Sequence, residues 1–351
     1  MTNLERLQQT GIRRLGTPKR GFRYQSVSGR VTKTDLDRIR ALRIPPAWTE
    51  VFINPAAKGR LQAIGKDAAG RWQYLYHADH TKLQEVRKFK RLAKFAKALP
   101  KLRATISRHL RQPGLQRERV LAAILRVLST CYMRPGSQSY ASENGSYGIA
   151  TLRRKHVTVK GDLIEFDFPG KSGVQQRRQL RDRQVARVVR ESMKLPGYQV
   201  FKYVNEEGKT VNVTRQQINT YIKEIMGDRF SAKDFRTWAG TLVCACALAR
   251  AGVEMPEEST IRTQARVRKR RIVAAIKETA EVLGNTPAVC RSSYVCPEVI
   301  NDFEKGKVID SCFSNLADLV AFRGHGLHDA ERALLKFLSR NGSRNGSRNG
   351  R

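Results

Sequence analysis

The chain is poor in the features that define several large protein classes. No stretch approaches the roughly 18 to 20 uncharged apolar residues of a spanning helix. The opening residues, Met1-Thr2-Asn3-Leu4-Glu5-Arg6, lack the apolar core of a signal peptide. Only six cysteines occur in 351 residues, at 131, 244, 246, 290, 296 and 312, with no CxxC pair and no histidine at zinc-ligand spacing. They are expected to be reduced, small core residues. A phosphate loop GxxxxGK[ST], HExxH, GxSxG and a magnesium-type acidic cluster are all missing, which disfavours ATP-driven or metal-dependent chemistry. Pro169-Gly170-Lys171-Ser172 imitates the end of a phosphate loop but lacks its first glycine. Acidic residues are scarce as well, with 31 Asp plus Glu against 67 Lys plus Arg.

The resulting net charge of +36 is large self-repulsion for an enzyme of small metabolites, so the natural partner is a polyanion. The basic residues run through the whole chain and form no single juxtamembrane cluster. Nucleic acid therefore fits better than a membrane surface. A mean hydropathy of -0.50 is ordinary for a soluble chain, and a cytoplasmic, nucleoid-associated location is expected.

Short β-type runs at 51–53, 61–64 and 71–76, separated by Asn54-Pro55, Lys58-Gly59 and Asp67-Ala68-Ala69-Gly70, predict a small antiparallel sheet. Thr34, with Asp37 three residues on, is expected to cap a short helix before it. From Thr81 the apolar period becomes helical, through Leu83, Val86, Phe89, Leu92, Phe95 and Leu99, which places a domain boundary near 80. Further helices are expected at 116–130, 182–194, 215–226 behind a Thr214-to-Gln217 capping box, and 265–283. One β excursion pairs 156–159 with 163–168 and continues through the turn at 169–173, with Lys171 at a loop tip. The fold class is α+β: a β-rich domain over 1–80 and a larger, mainly helical domain over 81–338. Three Ser-Arg-Asn-Gly repeats fill 339–351, a composition expected to be disordered.

What remains for chemistry is a set of cations and a late tyrosine: Arg134, Lys171, Arg236 and Tyr294. Guanidinium groups can neutralise charge that develops on phosphorane oxygens, and tyrosine can serve as a nucleophile if its phenol is helped to ionise. Each taken alone is a weak signal, since an isolated Arg or Tyr is more often a solvated charge or a core-edge ring.

The stretch Cys131-Tyr132-Met133-Arg134-Pro135-Gly136, with Tyr140 and then Asn144-Gly145-Ser146-Tyr147-Gly148-Ile149-Ala150-Thr151-Leu152, resembles the short type IB DNA topoisomerases of bacteria and poxviruses. Ile44-Pro45-Pro46-Ala47-Trp48, Gly70-Arg71-Trp72-Gln73-Tyr74-Leu75-Tyr76, Lys233-Asp234-Phe235-Arg236-Thr237-Trp238 and Ser293-Tyr294-Val295 resemble other landmarks of that family in the same order. The resemblance spans roughly 20 to 338. It implies a clamp around duplex DNA, a monomer with no cofactor, and strand nicking, rotation and resealing. It makes Tyr294 the nucleophile of a 3′-phosphotyrosyl link, Arg134 and Arg236 holders of nonbridging oxygens, and Lys171 the proton donor to the leaving 5′ oxygen. Asn285 stands where many relatives carry histidine; it can donate a hydrogen bond but cannot titrate.

The same resemblance makes Tyr140 a phosphate contact, with packing as the alternative, and Lys233 a phosphate contact or a solvated helix charge. On the 71–76 strand, Arg71 and Gln73 share one face and Tyr74 and Tyr76 the other. Gln73 can read adenine, while the tyrosines hold phosphates or pack. A tyrosine recombinase and a noncatalytic DNA-compacting protein are the competing readings; Lys233, where recombinases usually carry histidine, favours the topoisomerase.

Overall fold

The computed structural model describes residues 2–27, 29–254 and 260–346, except for the side chains of Lys82 and of 341–346. The chain divides into two compact units, Met1–Phe89 and Lys90–Arg351. The division falls beyond the change of period near 80.

The first unit runs α1 (Asn3–Thr10), β1 (Ile12–Thr17), β2 (Gly21–Gln25), α2 (Lys33–Ala41), β3 (Thr49–Ile53), β4 (Leu61–Lys66), β5 (Trp72–Tyr76) and α3 (Ala78–Lys90). The strands form one antiparallel sheet in the order β2-β1-β3-β4-β5. Strand alternation sends Ile12, Val51, Ile53 and Ala63 to one face, where Ile39 of α2 covers them. On the other face, Leu61 and Ile64 pack under Leu7 of α1. Leu61 and Ala63 would share a face in a regular strand, but a register shift between them turns Leu61 to the opposite side.

Two sequence expectations need correction here. The capping box that forms is Thr32 with Asp35, not Thr34 with Asp37. Both pairs have the required spacing, and Thr34 lies inside the helix that the earlier box starts. The strands β1 and β2 and the helix α1 were not expected, because Ile12-Arg13-Arg14-Leu15 and Phe22-Arg23-Tyr24 carry charges where a buried strand would carry Val or Ile.

The second unit continues with α4 (Leu92–Leu110), α5 (Arg117–Cys131), α6 (Gln138–Asn144), β6 (Val157–Lys160), β7 (Leu163–Pro169), β8 (Gln175–Arg181), α7 (Arg183–Lys194), β9 (Lys202–Val204), β10 (Thr210–Asn212), α8 (Arg215–Met226), α9 (Ala232–Ala251) and α10 (Ile261–Leu283). It ends with α11 (Pro287–Ser293), α12 (Pro297–Glu304), α13 (Leu316–Ala321) and α14 (Asp329–Gly346). The helices α5 and α9 are buried on nearly every side, as their apolar composition demands. Glu331 of α14 is buried where it accepts both guanidinium nitrogens of Arg103 and the Trp238 indole N–H, tying α14 to α4 and α9. The Thr214–Gln217 box starts α8, and β6, β7 and β8 form the expected double hairpin.

The repeat tail differs from expectation in part. Helix α14 carries it onward to Gly346, since extending an anchored helix needs no new nucleus; residues 347–351 lie outside the described residues.

Candidate active site

Arg134 lies just beyond α5. Tyr132 ends that helix in the left-handed conformation, φ 51°, and turns the chain. The segment that follows is held by the loop at 148–151: Ile149 N–H donates to the Arg134 carbonyl and Ala150 N–H to that of Pro135, both at 2.9 Å. The approach is so close that a Cβ on Gly148 would sit 2.6 Å from the Arg134 carbonyl oxygen. That contact explains why glycine follows Tyr147 in this loop.

Arg236 projects from the first turns of α9 and is 2% exposed. Its guanidinium donates to the Tyr132 carbonyl and, at 2.9 Å, to the Leu283 carbonyl at the end of α10. The Nε is buried and has no hydrogen-bond partner among the described residues. Gly284, φ 59°, caps α10 and delivers Asn285, whose Oδ1 accepts from Arg134. The Asn285 Nδ2 is a buried donor with no partner among the described residues.

Tyr294 follows α11 and is half-buried. Thr241 fixes its backbone: the hydroxyl donates to the Tyr294 carbonyl at 3.1 Å and accepts from Cys296 N–H at 3.1 Å. Gly240 permits that approach, because a Cβ there would lie 2.9 Å from both Cβ and O of Tyr294. The Arg236 guanidinium carbon is 5.0 Å from the centre of the Tyr294 ring.

The electrostatics follow from this packing. Burial pushes the Tyr294 phenol up, but Arg236, Arg134 and Lys233 outweigh it and bring the phenol below its ordinary value. Arg134 is pulled below the usual guanidinium range, first by burial and then by the charge of Arg236. No carboxylate pairs with Arg134 or Arg236 among the described residues. Holding two guanidiniums partly or wholly out of water without a counter-charge is costly unless an anion arrives to complete the site.

The structure thus brings together Arg134, Arg236, Asn285 and Tyr294, with Lys233 exposed one turn before Arg236. Lys171 is exposed at the β7–β8 turn and makes no hydrogen bond to these residues among those described. Tyr140 is exposed on α6. In the first unit, Tyr74 and Tyr76 are exposed on β5. Arg71 and Gln73 are both held by Asp67, through Arg71 Nε at 3.0 Å and Gln73 Nε2 at 2.8 Å. With one Nε2 hydrogen engaged by Asp67, Gln73 keeps its carbonyl oxygen and its second amide hydrogen for a base edge. The donor and acceptor that two-point reading of adenine needs are thus both retained, on an amide that Asp67 holds.

Sequence reasoning missed Gly240, Thr241 and Arg178. A glycine inside an apolar helical run signals a close approach, and Gly240 carried that signal. Arg178 had none, being one basic residue among 67.

A half-buried tyrosine whose phenol is acidified by guanidiniums that lack a carboxylate has the chemistry that phosphoryl transfer to a phenol calls for. Comparison with known proteins narrows the class. Residues 78–308 match the family described as eukaryotic DNA topoisomerase I, catalytic core, and residues 21–67 match the bacterial DNA topoisomerase IB N-terminal domain. The DNA topoisomerase 1B of Acanthamoeba polyphaga mimivirus is 38% identical over 278 residues, covering 78% of this chain and 81% of the relative. The DNA topoisomerase 1B of vaccinia virus (strain Copenhagen) and the DNA topoisomerase I of monkeypox virus are each 23% identical over 276 residues, covering 78% of this chain and 83% of each relative. The chain belongs to the type IB DNA topoisomerases.

Proposed function

We propose that this chain relaxes supercoiled double-stranded DNA, without ATP or a metal ion, through transient cleavage of one strand by Tyr294. The observation that carries the reading is the placement of Tyr294 against Arg236, in a cluster with Arg134 and Asn285 and no carboxylate among the described residues. Tyr294 attacks as the phenolate its neighbours favour. The Tyr294 Oη–P bond forms, the P–O5′ bond breaks, and the leaving oxygen takes a proton from Lys171. Arg134, Arg236 and the Asn285 amide hold the nonbridging oxygens, where the charge of the transition state develops. The planar fork of arginine suits this task, while lysine, which can lose its proton, suits leaving-group protonation. The phosphotyrosyl ester conserves the energy of the phosphodiester, so the 5′ hydroxyl reseals it after the strand has rotated.

The charge of +36 supports a protein that surrounds the duplex, with the two units closing as a clamp, Arg71, Gln73, Tyr74 and Tyr76 on the first, and Tyr140 and Lys233 on the second contacting DNA. We assign it the monomeric state and a place with the nucleoid in the cytoplasm. No helix among the described residues is long and apolar enough to cross a membrane.

The test is relaxation of negatively supercoiled plasmid in EDTA without ATP, comparing the wild-type chain with Tyr294→Phe. Relaxation by the wild type alone, with a covalent protein–DNA adduct trapped by detergent, is the expected result. DNA binding without relaxation or adduct would overturn it in favour of compaction. Joining of two specific sites without relaxation would favour a recombinase.

A further inference from the structure

The β7–β8 hairpin that carries Lys171 is tied to the end of α10 by two side chains. Arg178 of β8 is half-buried, and its Nη2 donates to the Val282 carbonyl at 3.2 Å and to Gln176 Oε1 at 3.3 Å. Gln176 is 7% exposed, and its Nε2 donates at 3.3 Å to the Val174 carbonyl, which also accepts from Gly170 N–H at 2.9 Å. Gly170 and Val174 flank the turn at 171–173. A continuous series of hydrogen bonds therefore runs from the C-terminal carbonyls of α10 to the base of the Lys171 turn. Its fit is tight at both ends: a Cβ on Gly170 would lie 2.7 Å from Gln176 Cγ, and a Cβ on Gly284 would collide with Gln176 Oε1 and Arg178 Nη2.

The anchoring point is chemically apt. The last carbonyls of a helix lack intrahelical donors and sit at the negative end of its dipole, so they attract cations. Here neighbouring carbonyls hold two guanidiniums, Val282 that of Arg178 and Leu283 that of Arg236. The next turn delivers Asn285. One helix end thus sets the height of an oxygen-holding arginine and the base of the hairpin that bears the proton donor. At ~3.4 Å per residue, the four residues from Arg178 to Val174 span roughly 14 Å. The β7 side of this two-stranded ribbon is held by Tyr147 N–H, which donates to the Pro169 carbonyl at 2.9 Å, and Arg178 with Gln176 braces the β8 side.

We propose that Arg178 and Gln176 form a strut that fixes the Lys171 turn to the end of α10, making Arg178 a positioning residue for protonation of the leaving 5′ oxygen. This rests on the topoisomerase reading and on the assignment of Lys171 as proton donor. The hydrogen bonds of Arg178 go to Arg177, Gln176 and Val282, so the role assigned to it is exerted through Lys171.

The experiment is single-turnover cleavage of two duplexes, one with the ordinary 5′-bridging oxygen and one with sulfur there, whose thiolate leaves without a proton. Arg178→Ala is expected to slow cleavage of the oxygen substrate by about 10- to 100-fold, part of the 10²–10⁴ that general acid catalysis supplies, and that of the sulfur substrate by less than about threefold. Added to Lys171→Ala, it is expected to cost less than about twofold more, because the two act as a unit. Gln176→Ala should show the same leaving-group dependence, so the strut can be judged even if Arg178→Ala folds poorly. Equal losses on both substrates, or losses that multiply with Lys171→Ala, overturn the proposal. A Lys171→Ala enzyme slowed equally on both substrates removes the proton donor and the strut's role with it. A wild-type chain that forms no covalent adduct with either substrate refutes the topoisomerase reading itself.

Discussion

The Arg236 guanidinium sits 5.0 Å from the centre of the Tyr294 ring while its two terminal nitrogens donate to the carbonyls of Tyr132 and Leu283. A single buried side chain therefore joins the end of α5, the end of α10 and Tyr294. It can be structural and catalytic at once, and the two contributions separate on substitution. Arg236→Ala leaves two carbonyls without their donor, which costs about 1–3 kcal/mol of stability. It also removes a transition-state donor, worth about 10²–10³ in rate. Arg236→Lys keeps the charge but cannot span both carbonyls, so most of the rate stays lost. Urea titration and the rate of covalent adduct formation measure the two effects. A variant destabilised but fully active would confine Arg236 to structure.

The acidified phenol of Tyr294 dictates a pH dependence. Burial opposes ionisation, and the charges of Arg236, Arg134 and Lys233 more than offset it. The reactive phenolate accumulates as pH rises, so cleavage should climb and level off at a midpoint below the ~10 of free tyrosine. A substrate with a 5′-bridging sulfur isolates this ascending limb, since its leaving group needs no proton. Lys233→Ala removes one of the helping cations, which moves the midpoint upward and lowers the rate at neutral pH while leaving the plateau in place. An unshifted midpoint in that variant would mean that Lys233 does not act on Tyr294.

Much of this site was legible in the sequence because its residues sit in dense local motifs. The run around Arg134 includes the left-handed Tyr132 and the Gly136–Gly148 contact that shape it, and Lys233-Asp234-Phe235-Arg236 announces a buried arginine by the aromatics around it. The double hairpin was equally plain, since Gly161-Asp162 and Ser172-Gly173 punctuate alternating strands. Contacts that join distant segments were not legible. Arg178 meets Val282 across 104 positions, and Thr241 meets Tyr294 across 53. Neither residue type is unusual for its element, so only the assembled fold reveals the partnership. The edge of the first sheet was hidden for a different reason: β1 and β2 are exposed enough to carry arginines, which masks the alternation a buried strand would show.

Asn285 is a test of how much the site needs a proton at that position. Its Oδ1 is occupied by Arg134 and its Nδ2 is left without a partner among the described residues, the arrangement of a neutral donor awaiting an oxygen. Loss of one such bond is worth about 1–1.5 kcal/mol, roughly tenfold, so Asn285→Ala should slow cleavage modestly. Because an amide does not titrate, the substitution should leave the shape of the pH profile unchanged. An unaltered cleavage rate would remove Asn285 from the site.

The seating of Tyr294, the proposed nucleophile, gives the last prediction, through two neighbours on α9. Gly240→Ala improves helix propensity by about 1 kcal/mol in an unpacked helix. Here the new Cβ would meet the Tyr294 Cβ and carbonyl oxygen at 2.9 Å and Leu283 Cδ1 at 3.1 Å. Overpacking of this kind costs typically about 1–3 kcal/mol, so the balance is destabilising. The activity loss should be larger than the stability loss suggests, because the contact displaces the residue whose aim sets the rate, and a shift near 1 Å can cost about 100-fold. Thr241→Val is the complementary change: it keeps the volume but deprives the Tyr294 carbonyl and the Cys296 N–H of their shared partner. It should destabilise by about 1–3 kcal/mol through the unpaired groups and loosen the nucleophile without pushing it. Adduct formation and thermal unfolding measured on both variants distinguish displacement from loosening. Gly240→Ala with wild-type cleavage would show that α9 does not set the position of Tyr294.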